Sequence, residues 1–202
     1  MPIDREEVIL HMSKVQVAAN RDGLIPAFGV FVNQMPAAFW NNFASRLVSR
    51  VDPDVLPAAE FLLVNCAHEC GYHTGFGIIT SEEWNAIVAP YVANVEDVLH
   101  GAFAVLTAWG WADAEIAELV PGERMVVRTK AYYEADEGEA GDSGRPSAYM
   151  LRGVCAAFMD LAYGGEYDPT GASGLRTFQC EQTKGIECGD EYGEFVVTRA
   201  ED

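Results

Sequence analysis

The chain has 202 residues, of which 50% are hydrophobic and 22% charged, a balance typical of one compact globular domain with a sizeable core. Its 31 acidic residues outnumber its 13 basic ones and give a net charge of -18, and every charged residue from Val51 to Glu123 is acidic. Because such a surface repels phosphate backbones and anionic lipid, we expect no nucleic-acid partner and no insertion into a membrane.

Residues 1–57 are predicted to form an N-terminal strand and helix segment that packs on a main domain of residues 58–202. The first residues, MPIDREEVILHMSK, contain no apolar core of the signal-peptide type, so we expect a cytoplasmic protein. The apolar stretch LIPAFGVFV indicates a strand or a loop. A helix is predicted from about Pro36 to Val51, since proline favours helix starts and large apolar residues recur there at helical spacing.

A second helix is predicted from about Pro57 to Cys70, with Gly71 ending it and the loop GYHTGFGII following. Cys66 and Cys70 fall on one side of this helix. We expect both to be buried beside the neighbouring leucines, because cysteine is among the most buried residue types.

Two capping signals open the helices that follow. Thr80-Ser-Glu-Glu83 is a capping-box pattern at the start of a short helix that Pro90 ends. Asn94 is predicted to cap the next helix, with an acid in its first turn that complements the helix dipole. The longest apolar run, Gly101 to Ala112, is shorter than the ~20 residues needed to cross a bilayer, so it predicts a buried helix.

The rest of the chain predicts strands around one more helix. In chain order, the predicted elements are a strand at Glu115–Leu119, a strand at Met125–Tyr133, a polar loop at Glu134–Pro146, a helix at Ser147–Tyr163 and two strands flanking Gly189-Asp190. The turn Val-Pro-Gly-Glu joins the first two strands into a hairpin. Because neighbouring strands pair locally, we predict an α+β domain in which an antiparallel sheet packs against several helices.

Four segments of this second half resemble the 4-vinyl-reductase domain family in their order and spacing: AVLTAWGWADAEIAEL, GERMVVRTKAYYEA, SAYMLRGVCAAFMDLAYGG and GDEYGEFVV. The stretch CAHECGYHTGFG is similar to an earlier helix of that family, so the resemblance covers about Ala58 to Thr198. It implies an α+β domain related to vesicle-tethering and haem-nitric-oxide folds. It also implies a homodimer that binds a small hydrophobic molecule, in some members as the sensor of an aromatic-responsive regulator.

Some members of that family hold zinc with a cysteine on the last helix and a tail pattern of Glu-x-x-Cys, seven residues, then Cys-Glu-Phe. When the tail of this chain is aligned on GDEY and the following Glu-Phe pair, the three tail ligands fall on Gln182, Gly185 and Gly193. Cys155 matches the helix cysteine, but one thiolate does not hold zinc. We therefore expect no metal cofactor.

A second alignment stays open, because Cys180 and Cys188 keep the seven-residue gap. In that register Thr177 replaces the glutamate. Cys155, Cys180 and Cys188, with an acid such as Glu187, then form an alternative zinc site. Five cysteines are an odd number, and in a reducing compartment they predict no disulfide.

The densest set of reactive side chains lies in Cys66-Ala-His68-Glu69-Cys70-Gly-Tyr72-His73. This is not a zinc-protease motif, because that motif needs a histidine where Tyr72 stands. A nucleophilic Cys70 is disfavoured, since the C-terminal end of a helix disfavours a thiolate. His73 is predicted to lie in the glycine-rich loop, where ligand contact and a structural role are both open.

Aromatic residues are numerous enough to line an apolar pocket. We predict this pocket between the helix near Cys70, the loop from Tyr72 to Phe76 and the sheet that carries Tyr132. His73 is the polar group expected to orient the ligand. The predicted ligand-contacting residues are Tyr72, His73, Phe76, Trp84, Trp109 and Tyr132.

The sequence favours a non-enzymatic domain that binds or senses a small hydrophobic molecule, aromatic ones included, as a homodimer and without a cofactor. Two other functions stay open. One is an enzyme, or a factor associated with one, that acts on a small hydrophobic or vinyl-tetrapyrrole substrate, or a hydrolase that uses Cys70 with His73. The other is a structural dimeric adaptor.

Overall fold

The structure, a computed structural model, describes residues 3–32, 35–135 and 144–201. In these ranges the helices and strands are, in chain order, α1 (Arg5–Met12), β1 (Ile25–Ala27), β2 (Val30–Val32), α2 (Ala37–Val48), α3 (Leu56–Ile79), α4 (Glu82–Ile87), α5 (Val95–Ala108), β3 (Ala112–Val120), β4 (Arg124–Tyr132), α6 (Tyr149–Tyr163), β5 (Phe178–Lys184) and β6 (Gly193–Arg199). Most of the predicted polar loop, residues 136–143, lies outside the described residues.

Strands β3 to β6 form one antiparallel sheet in the order β3-β4-β6-β5. The central strand β4 shows the alternation of a sheet with one covered face: Val127 and Thr129 are fully buried, whereas Arg128 and Lys130 are exposed. The predicted α+β class with an antiparallel sheet is confirmed. The predicted cap of α5 is confirmed as well, because Asn94 Oδ1 accepts a hydrogen bond from Asp97 N at 2.9 Å.

Helix α6 lies between the sheet and α3, and it is buried along most of its length. Its side chains join those of α5 and of the covered sheet face in one apolar cluster. Helices α6 and α3 come very close at Gly153, where an added Cβ would stand 2.4 Å from His68 N. The two helix backbones therefore nearly touch, and only glycine fits at that point.

The predicted helix end at Gly71 is wrong, because α3 continues without a break to Ile79. A glycine inside a helix costs about 1 kcal/mol relative to alanine, yet the glycines of α3 are placed where other elements come close. A Cβ on Gly71 would lie 3.1 Å from Val154 Cα of α6, and one on Gly77 would lie 2.9 Å from Phe28 O of the β1–β2 hairpin. These glycines let neighbours approach the helix instead of ending it.

The expected burial of Cys66 and Cys70 is also wrong, since both side chains are exposed. On a helix each residue turns by about 100°. The face of α3 that packs on α6 is occupied by Leu63, Ala67 and Gly71, which are buried. Cys66 and Cys70 lie about 100° and 60° from Ala67 around the helix, at the edge of this face, where both side chains are exposed.

The N-terminal segment is held by a second apolar cluster. Its buried members are Ile3, Val8, Met12, Ala27, Phe28, Ile78, Trp84, Val88, Ala104 and Val105, which join α1 and the β1–β2 hairpin to α3, α4 and α5.

Among the described residues, no helix combines the length and the apolar character that crossing a bilayer requires.

Candidate functional site

A small apolar cavity lies among α3, α5 and α6. It is lined by Gly75, Ile78, Ile79, Val98, Leu99, Ala102, Phe158, Leu161 and Ala162. Its volume is about 20 Å³, enough for one water molecule. Gly75 belongs to its wall, because a Cβ added there would stand 2.6 Å from Leu161 Cδ1 and 3.2 Å from Phe158 Cε1.

Three of the predicted ligand-contacting residues, Tyr72, His73 and Phe76, lie together on α3 beside this cavity. They contact Tyr167, in the segment after α6, and not the sheet. The Tyr167 ring stacks on Phe76 with centroids 3.6 Å apart, and its hydroxyl shares a hydrogen bond of 2.9 Å with His73 Nδ1. Tyr72 OH accepts from Asp168 N at 3.2 Å. His73 thus stands on a helix, not in the predicted loop.

The other three predicted residues lie elsewhere. Trp84 is buried in the N-terminal cluster, and Trp109 packs on Phe28 with ring centroids 4.0 Å apart. Tyr132 is linked to the start of α6 through Gln182, which donates to Tyr132 OH and accepts from Ala148 N, whereas Gly75 of α3 lies against Leu161 near the end of α6. At a rise of about 1.5 Å per residue, the length of α6 keeps these two regions roughly 20 Å apart. Among the residues that the structure describes, the Tyr72–Phe76 segment and Tyr132 therefore do not share the predicted pocket.

The covered face of the sheet also carries a polar side chain, that of Thr129 on β4. Thr129 is completely buried, and its Oγ1 has no hydrogen-bond partner among the described residues. Thr129 lies beside Tyr132 and not at the cavity, because its Oγ1 and a ring carbon of Tyr132 both stand 2.7 Å from the position of a Cβ on Gly193. A buried hydroxyl without a partner costs about 1–3 kcal/mol, so this one lowers the stability of the fold. No sequence signal points to it.

Side-chain oxygens of buried residues accept hydrogen bonds from the backbone at the start of α6. Four backbone N–H groups there, on Ser147, Ala148, Met150 and Leu151, have no acceptor within the helix. Glu134 accepts two of them at 2.8 and 2.9 Å. Glu187 accepts a third at 3.0 Å, and Gln182 Oε1 accepts the fourth at 3.1 Å. Carboxylates are well placed here, because the N-terminal end of a helix carries partial positive charge.

These acceptors are linked to each other. Tyr132 OH donates to Glu187, and Gln182 Nε2 donates to the same carboxylate at 2.7 Å. Burial and the neighbouring Glu187 raise the pKa of Tyr132, so the phenol stays neutral and remains a donor. Burial raises the pKa of Glu134 to about 7, although hydrogen bonds from Met150 N, Leu151 N and Trp40 lower it.

The first tail alignment places its metal ligands around this network. A Cβ on Gly185 would stand 2.7 Å from Gln182 Nε2 and 2.8 Å from the carboxylate of Glu187. A Cβ on Gly193 would stand 2.7 Å from a ring carbon of Tyr132. The space for two cysteine side chains is thus filled by protein groups that bond to one another. This arrangement does not fit a zinc ion.

The alternative zinc ligands, Cys155, Cys180, Cys188 and Glu187, do not fit a zinc ion either. Cys155 and Cys180 are both buried neighbours, and burial raises the pKa of the Cys155 thiol, which disfavours the thiolate that zinc needs. The carboxylate of Glu187 is engaged by Tyr132 and Gln182. Within the part of the chain that the structure describes, no three His, Cys, Asp or Glu side chains are placed to share a metal ion.

Comparison with known proteins finds no matching family model and no matching curated protein. Solved structures do match. The phenol-responsive sensory domain of the transcription activator PoxR, solved with phenol, aligns with a TM-score of 0.72 at 12% identity, over 97% of this chain and 90% of that one. Trafficking protein particle complex subunit 3 from Naegleria fowleri, covalently bound to palmitic acid, aligns with a TM-score of 0.57 at 12% identity, over 82% and 93%. The chain is therefore similar in fold to both proteins.

Proposed function

We propose that this chain is a binding domain for a small, largely apolar molecule, which it holds in a widened form of the cavity among α3, α5 and α6. The observation that carries the proposal is the likeness in fold, over 97% of the chain, to a sensory domain solved with phenol. The second neighbour was solved with palmitic acid, another apolar molecule. A cavity that is lined by apolar residues suits a ligand of this class.

The hydrolase alternative receives no support from the geometry. His73 Nδ1 is engaged by Tyr167, and Cys70 Sγ lies 3.9 Å from Thr74 Oγ1. A nucleophilic cysteine needs a base within hydrogen-bond reach, and the hydrogen bonds of Cys70 and His73 lead to other residues.

Binding must be coupled to a side-chain movement, because about 20 Å³ is far less than the ~150 Å³ that accommodates benzene in an engineered protein cavity. Leu161 is only half-buried and lies near the end of α6, so its displacement costs less than that of a central core residue. Displacing it would join its volume to the cavity beside Gly75. The apparent affinity is then lowered by the free energy of that opening.

Phenol, with which the matched sensory domain was solved, suggests the class of ligand. It combines a small apolar ring with one hydroxyl, and the residues that line the cavity are apolar. We therefore propose small phenolic molecules as the ligand class.

We expect Gly75→Ala to weaken phenol binding about tenfold or more. The added methyl would lie 2.6 Å from Leu161 Cδ1, so it takes up cavity volume and hinders the movement of Leu161. Calorimetric titration measures the affinity. His73→Ala is the control, since His73 is on the same helix, contacts Tyr167 and does not line the cavity. If only His73→Ala weakens binding, the ligand lies at the aromatic cluster of α3 and not in the cavity.

We expect Thr129→Val to raise the melting temperature of the ligand-free protein, because it keeps the shape of the side chain and removes a buried hydroxyl that has no partner. Burying such a hydroxyl costs about 1–3 kcal/mol. Differential scanning calorimetry measures the change, and an unchanged or lower melting temperature would show that the hydroxyl is paired in solution.

A further inference from the structure

The cavity among α3, α5 and α6 reaches the surface of the protein where three helix ends meet. Four of the residues that line it, Ile79, Val98, Leu161 and Ala162, are partly exposed, whereas the other lining residues are buried. Ile79 is the last residue of α3, Val98 lies in the first turn of α5, and Leu161 and Ala162 lie in the last turn of α6. We name these four partly exposed residues the mouth of the cavity.

The helix ends give this mouth a negative potential. The C-terminal ends of α3 and α6 each carry partial negative charge, and no basic residue stands in the last turn of either helix to offset it. The N-terminal end of α5 carries partial positive charge, but Glu96 and Asp97 in its first turn offset that charge. The three helix ends together therefore disfavour an anion at the mouth.

The side chains around the mouth add to this potential. Residues 51–123 and 153–175, which include α3, α5 and the last turns of α6, contain no Lys or Arg. Glu96 lies beside the mouth, because it is two residues before Val98 and accepts a hydrogen bond of 3.4 Å from Tyr163 OH, next to Ala162. Burial and the Glu96 carboxylate raise the pKa of Tyr163, so its hydroxyl stays a neutral donor.

The basic side chain of Arg199 lies near Tyr163 but is held at the sheet. A Cβ on Gly122 would stand 3.8 Å from Tyr163 Cδ1 and 3.9 Å from Arg199 Nη2. Arg199 Nε donates to Gly122 O at 2.9 Å, and the guanidinium lies over the Phe178 ring, 5.0 Å from its centroid. His100 on α5 adds no positive charge at pH 7, because burial lowers its pKa.

We propose that the mouth selects ligands by charge, binding neutral and cationic molecules in preference to aromatic carboxylates, and that Glu96 determines this specificity. The inference rests on the proposed function, because it needs a ligand whose ring occupies the cavity. Phenols are neutral at pH 7, since a phenol ionises near pH 10, whereas a carboxylic acid is ionised at pH 7. A carboxylate whose ring enters the cavity would place its charge at the mouth, beside Glu96 and the C-terminal ends of α3 and α6.

Three ligands with the same phenyl ring and the same three-carbon chain test the proposal: 3-phenylpropanol, 3-phenylpropionate and 3-phenylpropylammonium. With the ring in the cavity, the chain leaves the head group at the mouth, so the comparison reports a charge at the mouth and not one inside the cavity. Calorimetric titration at pH 7 in 0.1 M NaCl should show the carboxylate binding about tenfold more weakly than the alcohol. The ammonium compound should bind at least as tightly as the alcohol.

Variants of Glu96 test its role. Glu96→Gln keeps an acceptor for Tyr163 and should reduce the difference between alcohol and carboxylate to about fivefold, and Glu96→Lys should reduce it to about threefold or less. Glu69→Lys is the matched control, because Glu69 is exposed and lies ten residues before Ile79 on α3, about 15 Å away. That distance exceeds the Debye length of about 10 Å in 0.1 M salt, so the difference should stay the same.

The failure of this inference is distinguishable from the failure of the proposed function. If the wild type binds the alcohol and the carboxylate equally, or if Glu96→Lys and Glu69→Lys have equal effects, the charge selection is overturned and the proposed function stands. If phenol binds and 3-phenylpropanol does not, a chain cannot leave the cavity through this mouth, and the inference is again overturned alone. If neither phenol nor any of the three ligands binds, the proposed function fails and the inference fails with it.

Discussion

Replacing Gly153 with alanine should destabilise the folded protein by about 4 kcal/mol, although it adds only one methyl group. That methyl would stand 2.4 Å from His68 N, 2.5 Å from Ala67 Cβ and 2.6 Å from Ala67 C. Two of these three atoms belong to the backbone of α3, which cannot yield as a flexible side-chain tip can. The variant must therefore separate α3 from α6, and this would also disturb the buried His68–Asp160 pair, joined at 2.6 Å.

Urea denaturation measures the effect, with Gly110→Ala as the control. Gly110 has a positive φ of 74° and no atom of another residue near its added Cβ, so alanine there meets backbone strain but no neighbour. That strain costs about 1–2 kcal/mol. An equal loss of stability in the two variants would show that α3 and α6 do not approach as closely as the structure places them.

We also expect the free energy of unfolding to depend strongly on pH, because of Glu134. Burial raises the pKa of this carboxyl from 4.5 to about 7. The folded protein therefore holds the proton more tightly than the unfolded chain, and the free energy of unfolding falls as the pH rises between these two values. Since one pKa unit corresponds to about 1.4 kcal/mol, the full loss is about 3 kcal/mol. Below pH 4.5 both states are protonated, and no penalty remains.

Glu134→Gln removes this titration while retaining a side-chain acceptor for the start of α6. Between about pH 5 and about pH 8, the wild type should lose about 2 kcal/mol of stability relative to this variant, measured by urea denaturation. Glu191→Gln, at an exposed position, is the control for the change in net charge and should show no such trend. If Glu134→Gln and Glu191→Gln behave alike, the buried carboxyl does not titrate in this range.

Local patterns in the sequence predicted most of the elements, because caps, turns and helical spacing depend on residues close together in the chain. Asn94 caps α5 as predicted, and the two hairpins of the sheet lie where alternation and turn residues placed them. The end of α3 was mispredicted for a physical reason. Glycine commonly follows the end of a helix, but Gly71 lies inside α3. Its missing side chain leaves room for Val154 on α6, more than eighty residues away in sequence.

The candidate site was harder to predict, since its geometry depends on contacts between distant elements. The sequence placed Tyr72, His73 and Phe76 in one segment, but it predicted a loop where the structure has helix α3. It could not show that Tyr167 would engage them, because a tyrosine in a polar loop carries no signal of its partner. The buried acceptors Glu134 and Glu187 were missed for a similar reason, as helix caps are recognised from adjacent residues and these two lie far from the start of α6 in sequence.

The central claim is that the cavity among α3, α5 and α6 takes up a small aromatic molecule, and a crystal grown with an iodinated phenol tests it most directly. We predict an anomalous iodine peak in contact with Gly75 and Phe158, with the Leu161 side chain displaced from its position in the ligand-free protein. A closed cavity at saturating ligand, with iodine found only at Tyr167 or on the outer surface, would contradict the claim.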